Sequence, residues 1–239
     1  MATGSNGSSS ARIYQVFSLA LLLLAPQSTN AHGWIITPPS RQESCRNGTV
    51  PSSGCGGVQY EPQSVEAPKG GPFDLDLGDH ICNGDASRFD ALNTPAIWPS
   101  TTVPANQDLA LNWTMTVVHR TTKWEYFLTK PNVSANQTSR LTKDDFLQTP
   151  VLTVQGNDTV PPYTLIHRVP ANALQNRTGS AVMLGVWTIG DTANAFYSCV
   201  DLAFSGLNQT QAVNSTQVRN ATFSERRVRR GKIRADFMW

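Results

Sequence analysis

Little in this sequence could cross a membrane, ligate zinc or build a helical bundle. The one sustained apolar run, residues 16–25, is too short to span a bilayer comfortably, and no later stretch is long enough to try. Cysteine is sparse. Cys45, Cys55, Cys82 and Cys199 are the only four, and no pair has the two-residue spacing of a thiolate metal site. Internal repeats and long amphipathic helices are missing, which excludes solenoids and bundles. The net charge of +2 carries no message about partners. Residues 205–239 hold seven Lys/Arg against two acids, whereas residues 32–204 hold eleven against fifteen. The basic character therefore belongs to the tail, and the main block gives no reason to expect nucleic acid.

What is present begins with a leader. Arg12 precedes the apolar run, and Pro26 and then Thr29-Asn30-Ala31 follow it. A basic start, a short apolar core and a small residue at the cut make residues 1–31 a secretory signal peptide. Cleavage after Ala31 leaves His32-Gly33-Trp34 as the mature N-terminus of a secreted, extracellular protein with no membrane association. In an oxidising compartment four cysteines predict two disulfides, with three pairings open. Cys45–Cys55, which closes a short local loop, is the first choice, leaving Cys82 with Cys199. The long loop of the second bridge is worth about 4–5 kcal/mol by the chain-entropy estimate. Asn-x-Ser/Thr acceptors at Asn47, Asn112, Asn132, Asn136, Asn157, Asn176, Asn208, Asn214 and Asn220 suggest a glycosylating pathway.

Residues 32–204 are enough for one domain with a real core. Residues 34–100 are rich in Gly, Pro, Ser and Asp and read as long loops with short helices, pinned by disulfides. Strands follow. Leu111, Trp113, Met115, Val117 and His119 alternate with Asn112, Thr114, Thr116 and Val118, the period of a half-buried strand. Residues 124–129, 181–189 and 197–204 read as further strands. The expectation is an all-β antiparallel sandwich of immunoglobulin/fibronectin III type, with a loop and short-helix bundle inserted between its first strands. Residues 205–239, poor in large apolar side chains, read as a disordered basic tail. Arg227-Val228-Arg229-Arg230 within it has the form cut by secretory convertases.

Chemistry centres on the four histidines, His32, His80, His119 and His167. A mature N-terminal histidine offers its α-amine, whose pKa lies near 8, and an imidazole nitrogen. One more imidazole completes three nitrogens without thiolate or carboxylate, a set that suits copper better than zinc. His119 is the best partner because it ends a predicted strand near the rim loops, where a sandwich presents functional side chains. His80 and His167, in polar or Pro-flanked loops, read as ordinary surface histidines.

Four segments then make the sequence specific. His32-Gly33-Trp34 with Pro38-Pro39-Ser40-Arg41, residues 55–66 (CGGVQYEPQSVE), residues 119–132 (HRTTKWEYFLTKPN) and residues 186–197 (VWTIGDTANAFY) resemble, in order, the chitin-binding type-4 domain. This is the lytic polysaccharide monooxygenase group, auxiliary activity family 10, and the resemblance covers residues 32–204. It implies copper, one per chain, held by the amine and Nδ1 of His32 and Nε2 of His119. It implies an axial place for Phe196, a carboxylate near the metal at Glu66, and Trp187 beneath the site, able to carry off a stray oxidising equivalent. Tyr60, Glu61, Pro62, Thr116, Asp191 and Asn194 match positions of the flat surface that meets crystalline polysaccharide. The implied activity is oxidative cleavage of crystalline chitin at C1 by a monomer, using peroxide or oxygen and an external electron donor. Cellulose is the substrate alternative. A non-catalytic chitin-binding virulence or insecticidal protein and a fibronectin-like adhesion module are the alternatives in class. One departure stands out: Val117 occupies a position near the metal where the family typically has alanine.

Overall fold

The computed structural model describes Met1 and residues 31–205, apart from residues 96, 97, 105, 136, 175 and 176. The expected leader (beyond Met1 and Ala31), the tail with Arg227–Arg230, and the acceptors Asn136, Asn176, Asn208, Asn214 and Asn220 lie outside the described residues. The chain divides into two units, 1–30 and 31–239, and every described strand belongs to the second.

The described residues form nine strands: β1 (His32–Thr37), β2 (Glu66–Pro68), β3 (Thr101–Val103), β4 (Leu109–Val117), β5 (Thr121–Leu128), β6 (Leu152–Thr159), β7 (Thr164–Val169), β8 (Gly179–Ile189) and β9 (Asn194–Phe204). They make two sheets, β1-β4-β7 and β2-β9-β8-β5-β6, and β3 adds to β9 in parallel. This is the immunoglobulin/fibronectin III-like sandwich the pattern predicts. The expected bundle lies between β1 and β4: α1 (Arg41–Arg46), α2 (Gly71–Asp74), several 3-10 turns and the short strands β2 and β3.

The larger sheet is covered on both faces, which explains why β8 reads as continuous apolar sequence rather than as alternation. Val182, Leu184 and Val186 face a core with Val58, Ile81, Phe89 and Leu92 of the loop bundle. Ala181, Met183, Trp187 and Ile189 face a second core with Leu111, Trp113 and Met115 of the smaller sheet. Gly185, on that second side, lets the sheets close up. A Cβ there would stand 2.8 Å from Ile35 Cδ1 and 3.1 Å from the Trp113 ring.

The bundle is fastened by covalent and ionic ties. Cys45–Cys55 and Cys82–Cys199 are the two disulfides, and the second fixes the bundle to β9. Arg41 forks onto Asp201 of β9 at 2.8 and 3.0 Å and donates to the Leu92 carbonyl at 2.7 Å, with both charged groups buried. Ser40 caps α1 by accepting from the Glu43 amide, and Glu43 accepts from the Trp34 indole at 2.8 Å. Every sulfur between residues 31 and 205, in the disulfides and in Met115 and Met183, is buried.

Candidate metal centre

Pairing of β1 with β4 brings the two key histidines together. His32 is the register partner of Val117, and His119 follows Val117 by two residues. The predicted strand runs two residues too far. β4 stops at Val117, and His119 sits in the turn to β5, where its backbone is free to aim the ring away from the ladder. Gly33 makes the approach of β1 possible: a Cβ there would stand 2.8 Å from Met115 Cγ and 3.0 Å from Trp187 Cζ3.

The His119 ring is buried at 8 % exposure, and its Nδ1 lies 3.0 Å from the Asp191 carboxylate in the β8–β9 turn. A carboxylate accepts, so Nδ1 carries the proton and Nε2 keeps a free lone pair. Burial pushes the Asp191 carboxyl up, but the hydrogen bond to His119, together with backbone hydrogen bonds from Asp191 and Arg120, holds the group below its usual range. Arg120 lies 3.9 Å from the same carboxylate and 3.4 Å from Asp158. Asp191 is therefore as much a holder of His119 as a surface group.

Glu66, on β2, pairs with Phe196 of β9, and its Oε2 accepts from the Asn194 side-chain amide at 2.9 Å. Phe196 is buried, 6.3 Å from the His32 ring and 5.4 Å from Trp187 between centroids. Trp187 is wholly buried, stacks on Trp124 at 6.4 Å, and donates its indole N–H to Thr121 Oγ1 at 2.8 Å. Thr121 passes the bond on by donating to the His119 carbonyl at 3.1 Å. Of the expected surface residues, Tyr60 is 82 % exposed and Thr116 is exposed, whereas Glu61 is half-buried 3.8 Å from Arg88. Pro62 is buried in a 3-10 turn, a correction to its expected place on the surface: it shapes the loop instead of meeting solvent.

His167 also departs from expectation. It lies on β7 rather than in a loop, against the Trp124 ring at 4.9 Å. Trp113 donates to the Tyr126 hydroxyl at 2.7 Å, and that hydroxyl is hydrogen-bonded to His167 Nδ1 at 2.6 Å. Burial lowers His167 to about 4 and raises Tyr126 well above its ordinary value. His80 is a half-exposed partner of Asp79 and Asp90. The roles of Asp191 and Thr121 had no local signal in sequence: Asp191 is 72 residues from His119 and Thr121 is 66 from Trp187.

Among the described residues no group of three or more His, Cys, Asp or Glu could hold a metal. With Ala31 attached, the His32 nitrogen is a peptide amide. Cleavage before His32 would make it an amine and give three nitrogen donors with no thiolate, a set that fits copper. Among the described residues no helix is long and apolar enough to cross a membrane.

His32, His119 and the Glu66 carboxylate are thus carried by strands and a turn of a fibronectin III-like β-sandwich. The family model described as lytic polysaccharide mono-oxygenase, cellulose-degrading, matches residues 32–202, and the chain belongs to that family, auxiliary activity family 10. A lytic polysaccharide monooxygenase C of Mycosarcoma maydis is 39 % identical over 206 residues, covering 84 % of this chain and 62 % of that protein. A GlcNAc-binding protein A of Shewanella oneidensis is 34 % identical, covering 76 % of this chain and 37 % of that one. The chain thus spans under two thirds of the length of these curated relatives. A solved monooxygenase of the same family from Streptomyces lividans superposes with a TM-score of 0.67 at 40 % identity, over 72 % of this chain and all of the other.

Proposed function

We propose that the chain, cut after Ala31 and exported as a domain of residues 32–204 with a basic tail, is a copper-dependent enzyme. It cleaves crystalline chitin oxidatively at C1, drawing on peroxide or oxygen and an external electron donor. The observation that carries this reading is the β1–β4 register, which sets His32 beside a His119 whose Nδ1 is already taken by Asp191. Copper held by the amine and Nδ1 of His32 and by Nε2 of His119 would supply one-electron oxidising chemistry toward a sugar C–H bond.

The chain's own groups do the rest. Asp191 fixes the tautomer of His119 and the direction of its free lone pair. The Phe196 ring presents an apolar edge that disfavours a further strong ligand. Glu66, oriented by Asn194, holds and returns a proton for the oxygen co-substrate. Trp187, joined to His119 through Thr121, takes up a stray oxidising equivalent. Val117, 38 % exposed beside His32, narrows the approach on its side. Tyr60, Thr116, Asp191 and Asn194 form the flat contact with the solid and act in a monomer. Chitin is favoured by the residue 60–66 run and by the GlcNAc-binding relative, and the description of the family model keeps cellulose as the alternative.

The test is release of soluble oxidised oligosaccharides from β-chitin by the mature protein with copper and a reductant. Adsorption without copper-dependent products would leave the non-catalytic chitin-binding reading. A chain that retains Ala31 is expected to lose the three-nitrogen copper signal in electron paramagnetic resonance. Retention of that signal would refute the assigned site.

A further inference from the structure

Among the described residues from 31 to 205, five large hydrophobic side chains are well exposed: Tyr60, Val117, Val160, Tyr163 and Ile166. Val117 flanks the paired histidines, and Tyr60 lies on the loop leading to Glu66. Val160, at 58 % exposure, and Tyr163, at 63 %, belong to the turn from β6 to β7, which no expected role explains.

The strand register places that turn. Thr121 pairs with both Ile189 and Thr159, so β6 ends in the row where β5 begins and β8 stops. The Asp158 carboxylate reaches Arg120, next to His119, and a Cβ on Gly190 would collide with it, so the β6 end packs on the β8–β9 turn that carries Asp191. The turn then crosses to the smaller sheet, where the Tyr163 carbonyl accepts from the Met115 amide at 2.7 Å, just ahead of Thr116 and Val117. Four of the five exposed hydrophobics therefore gather at the histidine end of the sandwich. Sheet order puts Glu66 on one edge strand and this turn on the other, about 19 Å apart at ordinary strand spacing.

We propose that Tyr163, supported by Val160, is a second aromatic contact for the polysaccharide, on the opposite side of His119 from Tyr60. This rests on the function proposed above. The chemistry is that of a tyrosine ring against the apolar C–H face of a pyranose: it loses exposed apolar area while its hydroxyl stays wet. The backbone is prepared for it. Pro161 and Pro162 restrict the turn, and the Met115 bond anchors Tyr163, so little freedom is lost on contact. With Tyr60 it would give the metal centre a grip on each side, resisting rotation of the protein on the crystal face.

Adsorption isotherms of the copper-free mature protein on β-chitin test this, using unglycosylated material because Asn157 lies close by. Tyr163→Ala is expected to weaken adsorption about five- to tenfold, the size of one good aromatic contact. Tyr163→Trp should restore it, and Ile166→Ser, on β7 away from the turn, should change nothing. Copper affinity by calorimetric titration should stay the same in all three. Unchanged adsorption of Tyr163→Ala, an equal loss in Ile166→Ser, or a dimer that Tyr163→Ala dissociates would each overturn the proposal. If the unsubstituted protein adsorbs and Tyr163→Ala adsorbs equally, only this inference falls. If neither adsorbs, the proposed substrate falls with it.

Discussion

Asp191 shows how much one side chain can decide. Without it, the His119 ring is free to place its proton on either nitrogen and to turn about its side-chain bonds. Asp191→Ala is expected to weaken copper binding about 10- to 100-fold, the usual cost of losing such a partner. Calorimetric titration of the mature protein measures it, and an unchanged affinity would remove Asp191 from the site. His167 gives a residue-level effect of another kind. Its folded value of about 4 lies below the ordinary 6.5. Below pH 6.5 the unfolded chain takes up a proton that the folded chain refuses until about pH 4. Stability is therefore whole above this window and falls as pH drops through it. His167 is only half-buried, so the loss is about 1 kcal/mol. Thermal midpoints from pH 7 to 4.5 should fall more steeply for the parent than for His167→Gln. His32 was legible in sequence because it follows an expected cleavage point, and His119 because it ends an alternating run; the hold of Asp191 on His119 was not, because only the fold brings residues 72 apart into contact.

At the scale of elements, strands with a strong pattern could be read and those without one could not. β4, β5, β8 and β9 announce themselves by alternation or by an apolar run of strand length. β6, LTVQGNDT, is polar because it is an edge with an exposed face, and β2 and β3 have three residues each, too few for any periodicity. β1 hides in the first residues after the leader, where glycine and proline suggest loop. The loop bundle was legible as a class of structure, yet its main ionic tie was not. Arg41 and Asp201 are buried together, 160 residues apart. Arg41→Met strands a buried carboxylate and is expected to cost about 3–5 kcal/mol, whereas Arg41→Met with Asp201→Leu should recover most of it. Urea unfolding of the three proteins distinguishes a required ion pair from a replaceable one.

For the whole molecule, the Cys82–Cys199 bridge closes a span of 117 residues and joins the bundle to β9 of the larger sheet. Its removal in Cys82→Ser/Cys199→Ser is expected to cost about 2–5 kcal/mol. Because the Tyr60 loop belongs to that bundle, limited proteolysis should cut there first in the variant. An unfolding midpoint equal to the parent's would show that packing and Arg41 alone hold the bundle.

The burial of every sulfur from residue 31 to 205 bears on how such a protein would age beside peroxide. Thioethers and thiols are ordinarily the first groups to be oxidised, and among the described residues from 31 to 205 no thiol is free and neither Met115 nor Met183 meets solvent. Among the described residues damage would then fall on aromatic rings, and the well-exposed ones there are Tyr60 and Tyr163. Wear would register first as a loosened hold on the solid, while the fold beneath stayed sound.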